Sequence, residues 1–163
     1  MKIIFNSAIA LMLTFNLASC GGGGSGSSSS ASSSCSAGSS ANSGSSSVTA
    51  LSYVDNVVGT GAVAADGSFL SVSYTGWLYD SSAPNDEGTE FASGSASSPF
   101  IFELGVGAVI PGWDQGLVGM KVGGTRTLTI PSSLAYGACP ATDSPIPPNS
   151  ALVFTVTLLQ VTS

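Results

Sequence analysis

The chain has 163 residues, 43% of them hydrophobic and only 7% charged, with a formal net charge of −6 and no histidine. A length of this order makes one domain with a modest core the expected size. Three Lys and Arg against nine Asp and Glu cannot form the basic patch that a nucleic-acid partner requires. The missing histidine removes imidazole acid–base work, serine-type triads in their usual form and His-ligated metal sites.

Met1 to Ser19 has the form of an export signal. Lys2 supplies the positive start, and Ile3 to Leu17 is apolar but interrupted by Asn6 and Asn16, too short and too broken for a membrane-spanning helix. Its end, Leu17-Ala18-Ser19-Cys20, resembles the lipobox of bacterial lipoproteins. The resemblance implies cleavage before Cys20, lipid on its sulfur, and a mature protein held at the bacterial cell envelope, outer membrane or periplasm-facing, by that anchor alone. Residues 20–47 are almost wholly Gly, Ser and Ala after the cysteine. They offer no hydrophobic set to offset the entropy of ordering, so a disordered tether is expected, with a reach of roughly 30 Å. Cys35 lies inside it. Cys35 and Cys139 could close one disulfide in an oxidising compartment, and the sequence leaves that pairing open.

From Val48 the composition changes, and a single folded domain is expected over 48–163. Tyr53-Val54-Asp55-Asn56-Val57-Val58 is a first strand, closed by Gly59-Thr60-Gly61, and Asp66-Gly67 marks a turn. Phe69 to Tyr79 alternates, with Leu70, Val72 and Tyr74 facing one way and Ser71, Ser73 and Thr75 the other. Ser81 to Thr89, holding Pro84, Asp86-Glu87 and Gly88, has the composition of an exposed loop. Phe100 to Leu104 is a further strand, ending at Gly105. Val109 to Met120 carries the helical period: Trp113, Leu117 and Met120 share one face. Pro111 suits the first helical turn, where its missing N–H would be unpaired anyway, and Gly119 or Gly123-Gly124 supplies the stop. Thr125 to Ile130 alternates again, Leu128 and Ile130 on one face; Ser132 to Pro148 is irregular and proline-rich. The chain closes on Leu152, Phe154, Val156 and Leu158, alternating with Val153, Thr155 and Thr157. Several antiparallel strands and one helix predict the α+β class, an antiparallel β-sheet wrapped around one short α-helix.

The usual constellations of catalysis are missing. Gly105-Val106-Gly107 is not followed by a third glycine at the dinucleotide spacing, and no Walker sequence occurs. Asp86-Glu87 is an acidic pair without partner ligands, so neither a metal nor a cofactor is expected. Aromatic residues near polar handles do stand out: Tyr74, Phe91, Phe100, Phe102, Trp113, Tyr136 and Phe154. By spacing alone these describe a hydrophobic core.

A series of blocks narrows this further. Val72-Ser73-Tyr74-Thr75-Gly76-Trp77-Leu78, then Phe100-Ile101-Phe102-Glu103-Leu104-Gly105, then Val109-Ile110 followed by Gly112-Trp113 come first. Ala135-Tyr136-Gly137, Ile146-Pro147-Pro148 and Leu152-Val153-Phe154 complete the series. In this order and near this spacing they resemble the FKBP family, macrolide-binding immunophilins with peptidyl-prolyl isomerase activity, over essentially Val48 to Val161. The family's sheet around a short helix agrees with the fold predicted from periodicity.

The resemblance implies a pocket. Trp113 would form its floor, under the substrate proline ring, with Tyr74, Phe100, Val109, Ile110 and Phe154 as walls and Phe91 among the catalytic residues. The Ile110 N–H and the Tyr136 hydroxyl would hydrogen-bond the ligand's carbonyls, and Ile146 would close the rim. It implies proline-containing polypeptides as substrates and macrolides such as tacrolimus or rapamycin as inhibitors. The expected role is assistance to the folding of exported proteins; the alternative is a tethered module that binds proline segments with little turnover. One departure bears on activity. The family usually carries an aspartate directly after the Phe91 position, where this chain has Ala92. That removes an acceptor for the Tyr74 hydroxyl, which Ser93 or water is expected to replace. The Tyr79–Thr89 loop is also longer than is usual.

Overall fold

The computed structural model of the chain describes residues 44–141 and 144–162; the export signal, Cys20 and Cys35 lie outside them. Six antiparallel strands form one sheet: β1 (Ser52–Val57), β2 (Phe69–Tyr79), β3 (Glu87–Gly94), β4 (Phe100–Glu103), β5 (Thr125–Ile130) and β6 (Leu152–Thr162). Their spatial order is β1-β5-β6-β2-β3, with β4 also paired to β2. β6 runs along one edge of β2. The other edge is divided, β4 against Phe69 to Val72 and β3 against Tyr74 to Tyr79. The one α-helix among the described residues, α1 (Pro111–Gly116), lies against β5.

Alternation decides which side chains meet the helix. Along β5 the buried residues are Arg126, Leu128 and Ile130, every second position, while the threonines between them are partly exposed. Leu70 and Val72 of β2, and Leu152, Val156 and Leu158 of β6, are fully buried. Removing each such aliphatic side chain from water contributes about 1.5–3 kcal/mol, so this one face supplies most of the apolar burial. The opposite face is a row of hydroxyls, in which Thr125 pairs with Thr157 and Thr127 with Thr155, each at 2.9 Å between Oγ1 atoms.

Several boundaries differ from those predicted. α1 stops at Gly116, so Leu117 and Met120 lie beyond it, although both are buried. The backbone there is used elsewhere: Gly119, at φ +78°, donates its N–H to Ala64 O at 2.9 Å, and Ala64 N–H donates to Met120 O at 2.7 Å. The expected 81–89 loop is a loop only in its first half, since β3 begins at Glu87. Packing also reaches upstream of Val48. Ser45, in the composition of the tether, is only 4% exposed, and its Oγ accepts the Ala151 N–H at 3.2 Å. Cys139 is engaged in a disulfide; Cys35, its candidate partner, lies outside the described residues.

Candidate active site

The predicted pocket residues converge. Trp113 stands at the centre, 4% exposed, because α1 packs it into the buried cluster against the sheet. Around its ring lie Tyr74 of β2 at 5.2 Å between centroids, Phe154 of β6 at 5.3 Å, Phe102 at 5.6 Å and Phe100 at 6.1 Å, both of β4. The Tyr74 and Phe154 rings meet the indole edge-on, at 82° and 86°, the geometry that sets a ring's positive edge against another's negative face. Phe91 joins through Phe154 at 5.5 Å. Val109, Ile110 and Tyr136 are partly buried against the same cluster. Ile146, expected to close the rim, is 4% exposed and packed in the same cluster.

Phe91 enters the cluster through a register shift. Gly76 pairs with Ala92 and the next β2 residue, Trp77, pairs with Glu90, so Phe91 is the extra residue on β3. Such a bulge re-aims a side chain that simple alternation would send to the outer face. Room for it comes from Gly76, where an added Cβ would lie 2.6 Å from Phe154 Cε1 and 3.0 Å from Phe91 Cζ.

The site offers hydrogen-bond donors. The Ile110 carbonyl accepts Trp113 N–H at 2.9 Å and Asp114 N–H at 3.3 Å, while the Ile110 N–H finds no partner among the described residues. No hydrogen bond to a described residue engages the hydroxyls of Tyr74 or Tyr136, and the buried Nε1 of Trp113 also lacks an acceptor. Burial raises the ionisation of both phenols above the ordinary value of 10.0, and for Tyr136 the Tyr74 phenol adds to the effect. Both therefore stay protonated, and able to donate, throughout the neutral range. Ser93 does not replace the missing acceptor. It pairs with Thr75 and so faces away from Tyr74, whereas Ala92, opposite Gly76, shares the Tyr74 side.

Sequence reasoning placed Phe102 in the aromatic set without giving it a place in the pocket; its ring stacks on Phe100 at 5.5 Å and 27°. Asp114 was missed. Its carboxylate accepts Gly105 N–H and Gly107 N–H, each at 2.9 Å, fixing the turn that leads from β4 to the helix. Among the described residues no group of three or more His, Cys, Asp or Glu could hold a metal ion.

Comparison with known proteins agrees with this geometry. The family model for FKBP-type peptidyl-prolyl cis-trans isomerases matches residues 61–159. An FK506-binding protein of Neisseria meningitidis serogroup B is 47% identical over 104 residues, covering 63% of this chain and 88% of that protein. FK506-binding protein 4 of Neurospora crassa is 45% identical over 116 residues; the match covers 70% of this chain and 22% of that longer protein. Among solved structures, a peptidyl-prolyl cis-trans isomerase from Pseudomonas syringae pv. tomato superposes with a TM-score of 0.58 at 33% identity, covering 69% of this chain and 76% of that one.

Proposed function

The chain belongs to the FKBP-type peptidyl-prolyl cis-trans isomerase family, and from that membership we propose that it isomerises X–Pro bonds in exported polypeptides at the bacterial cell envelope. The observation that carries the reading is the Trp113 floor walled by Tyr74, Phe91, Phe100 and Phe154, beside donors that find no partner among the described residues.

An X–Pro bond turns over a barrier of roughly 18–20 kcal/mol because twisting it breaks amide resonance. No nucleophile is required. The aromatic walls strip water from the amide, which disfavours its charge-separated planar form. Trp113 supports the proline ring. The Ile110 N–H and the Tyr136 hydroxyl donate to the flanking carbonyls and hold the twisted geometry, which lowers the barrier to the extent that the twisted form is gripped more strongly than the planar one. The same pocket accepts macrolides such as tacrolimus, in line with the names of the relatives. The lipobox-like Cys20 and the Gly/Ser-rich stretch after it support a tethered position at the membrane.

A protease-coupled assay on an Ala-Leu-Pro-Phe peptide tests the reading. Isomerisation that tacrolimus inhibits is the expected result, and Trp113→Ala, shown folded by circular dichroism, should lose at least tenfold in kcat/KM, about 1.4 kcal/mol. Binding of proline peptides without turnover would favour the tethered binding module instead.

A further inference from the structure

Arg126 belongs to a strand whose neighbouring inward residues are aliphatic, and it is itself 5% exposed. Its Nε and Nη2 donate to the two carboxylate oxygens of Asp55 at 2.6 and 3.1 Å. Its Nη1 donates to Gly116 O at 2.7 Å and Val118 O at 3.3 Å, and its guanidinium lies 4.1 Å from the centre of the Tyr53 ring. Gly116 ends α1, and Val118 follows in the next turn.

The rest of the seat is apolar. The inward row of β5 runs beneath the helix: Ile130 meets the backbone at Gly112, and Leu128 meets it at Gly116, where an added Cβ would lie 2.7 Å from Leu128 Cδ2. Contacts of this kind limit movement by close packing but are themselves non-directional. Hydrogen bonds to carbonyls add direction, since they weaken steeply with angle and distance. A helix of six residues is also too short to hold its own geometry, and its N-cap, Ile110, makes no side-chain cap. At the other end Asp114 ties the helix to the preceding turn rather than to the sheet.

We propose that Arg126, oriented by Asp55, is a positioning residue: its grip on the Gly116 and Val118 carbonyls sets how far α1 sits along β5, and so where Trp113 stands under the pocket. Trp113 lies one turn before the gripped carbonyls, and its own carbonyl accepts Leu117 N–H at 3.0 Å. A shift of the helix end is thereby passed to the pocket floor. The inference rests on the isomerase reading for its kinetic consequence but not for its structural one.

The test uses Arg126→Met and Arg126→Lys, the second keeping the charge beside Asp55 without the planar fork that reaches both carbonyls. Near-ultraviolet circular dichroism and tryptophan emission are recorded in a Trp77→Phe background, where Trp113 is the sole indole. Both variants should change the Trp113 signal and lower kcat about tenfold with a smaller change in KM, at a temperature where far-ultraviolet spectra show them folded. Asp55→Asn, which leaves Arg126 its carbonyls, should produce a weaker version of the same change. An unaltered Trp113 signal in Arg126→Lys overturns the proposal, as does full kinetic rescue by lysine, which would reduce the residue to a charge partner of Asp55. Should Arg126→Met fail to fold, the lysine variant decides alone. If the wild-type protein shows no isomerisation, the functional reading fails, while the indole signal still decides whether Arg126 positions Trp113.

Discussion

At the scale of single residues, Ala92 is the position where this chain leaves the pattern of its family. The backbone pairing puts it on the Tyr74 side of β3, and the Tyr74 hydroxyl has no acceptor among the described residues. An aspartate there would stand within the same face, accept that hydroxyl and place a fixed negative charge by the twisting amide, where preorganised electrostatics act on the transition state. Ala92→Asp is expected to raise kcat/KM about tenfold, equivalent to about 1.4 kcal/mol. A folded Ala92→Asp protein with flat or reduced activity would show that the missing carboxylate does not limit the rate. The phenols allow a second prediction. Tyr74 and Tyr136 hold their protons more tightly in the folded protein than the ordinary value of 10.0. Their contribution to stability is therefore complete below the unfolded pKa of about 10 and is lost as pH rises through the folded value. Denaturant midpoints should be level from about pH 8 to 9 and fall above about pH 10, and Tyr136→Phe should soften that fall.

At the scale of elements, the bulge in β3 and the glycine opposite it act as one device. β3 supplies the extra residue, and Gly76 of β2 leaves the space into which Phe91 and Phe154 turn. Gly76→Ala places a methyl 2.6 Å from Phe154 Cε1 and 2.9 Å from Cδ1, so rings must move. Overpacking of this kind costs about 1–3 kcal/mol. The expected outcome is a lowered thermal midpoint together with a loss of proline-peptide affinity; a loss of stability at unchanged affinity would remove Phe154 and Phe91 from the binding surface. The turn before α1 obeys the same logic, held by Asp114 through two backbone N–H groups at 2.9 Å rather than by a cap on the helix itself.

At the scale of the whole molecule, the described residues form a six-stranded sheet with one helix, and export and anchoring are proposals that rest on the lipobox-like sequence at Cys20. Among the described residues no helix is long and apolar enough to cross a membrane; the proposed attachment is through Cys20. Acylation contributes about 0.8 kcal/mol per buried CH₂, and more than one chain is needed for stable anchoring. Cys20→Ser should move the protein from the membrane fraction to the soluble one and abolish labelling by a palmitate analogue. Wild-type protein recovered unlabelled and soluble would refute the anchor.

Alternating strands such as Phe69 to Tyr79 and Leu152 to Leu158 were legible in the sequence because a two-residue period is a local property of side chains on a pleated backbone. The aromatic site was legible for a different reason, the ordered blocks from Tyr74 to Phe154 that resemble one family. The sequence did not disclose β3, because a bulge breaks the period on which strand prediction relies, and the Phe91 ring turns inward only where Gly76 lies opposite. Nor did it disclose where α1 ends, since Gly119 and Met120 could equally continue a helix until pairing with Ala64 claims their backbone groups. The role of Arg126 was hidden most completely. Its partners are Asp55, 71 residues away, and the carbonyls of Gly116 and Val118. Contacts between distant segments have no periodic signature, so only the folded chain, which brings β1, β5 and the end of α1 together, could decide them.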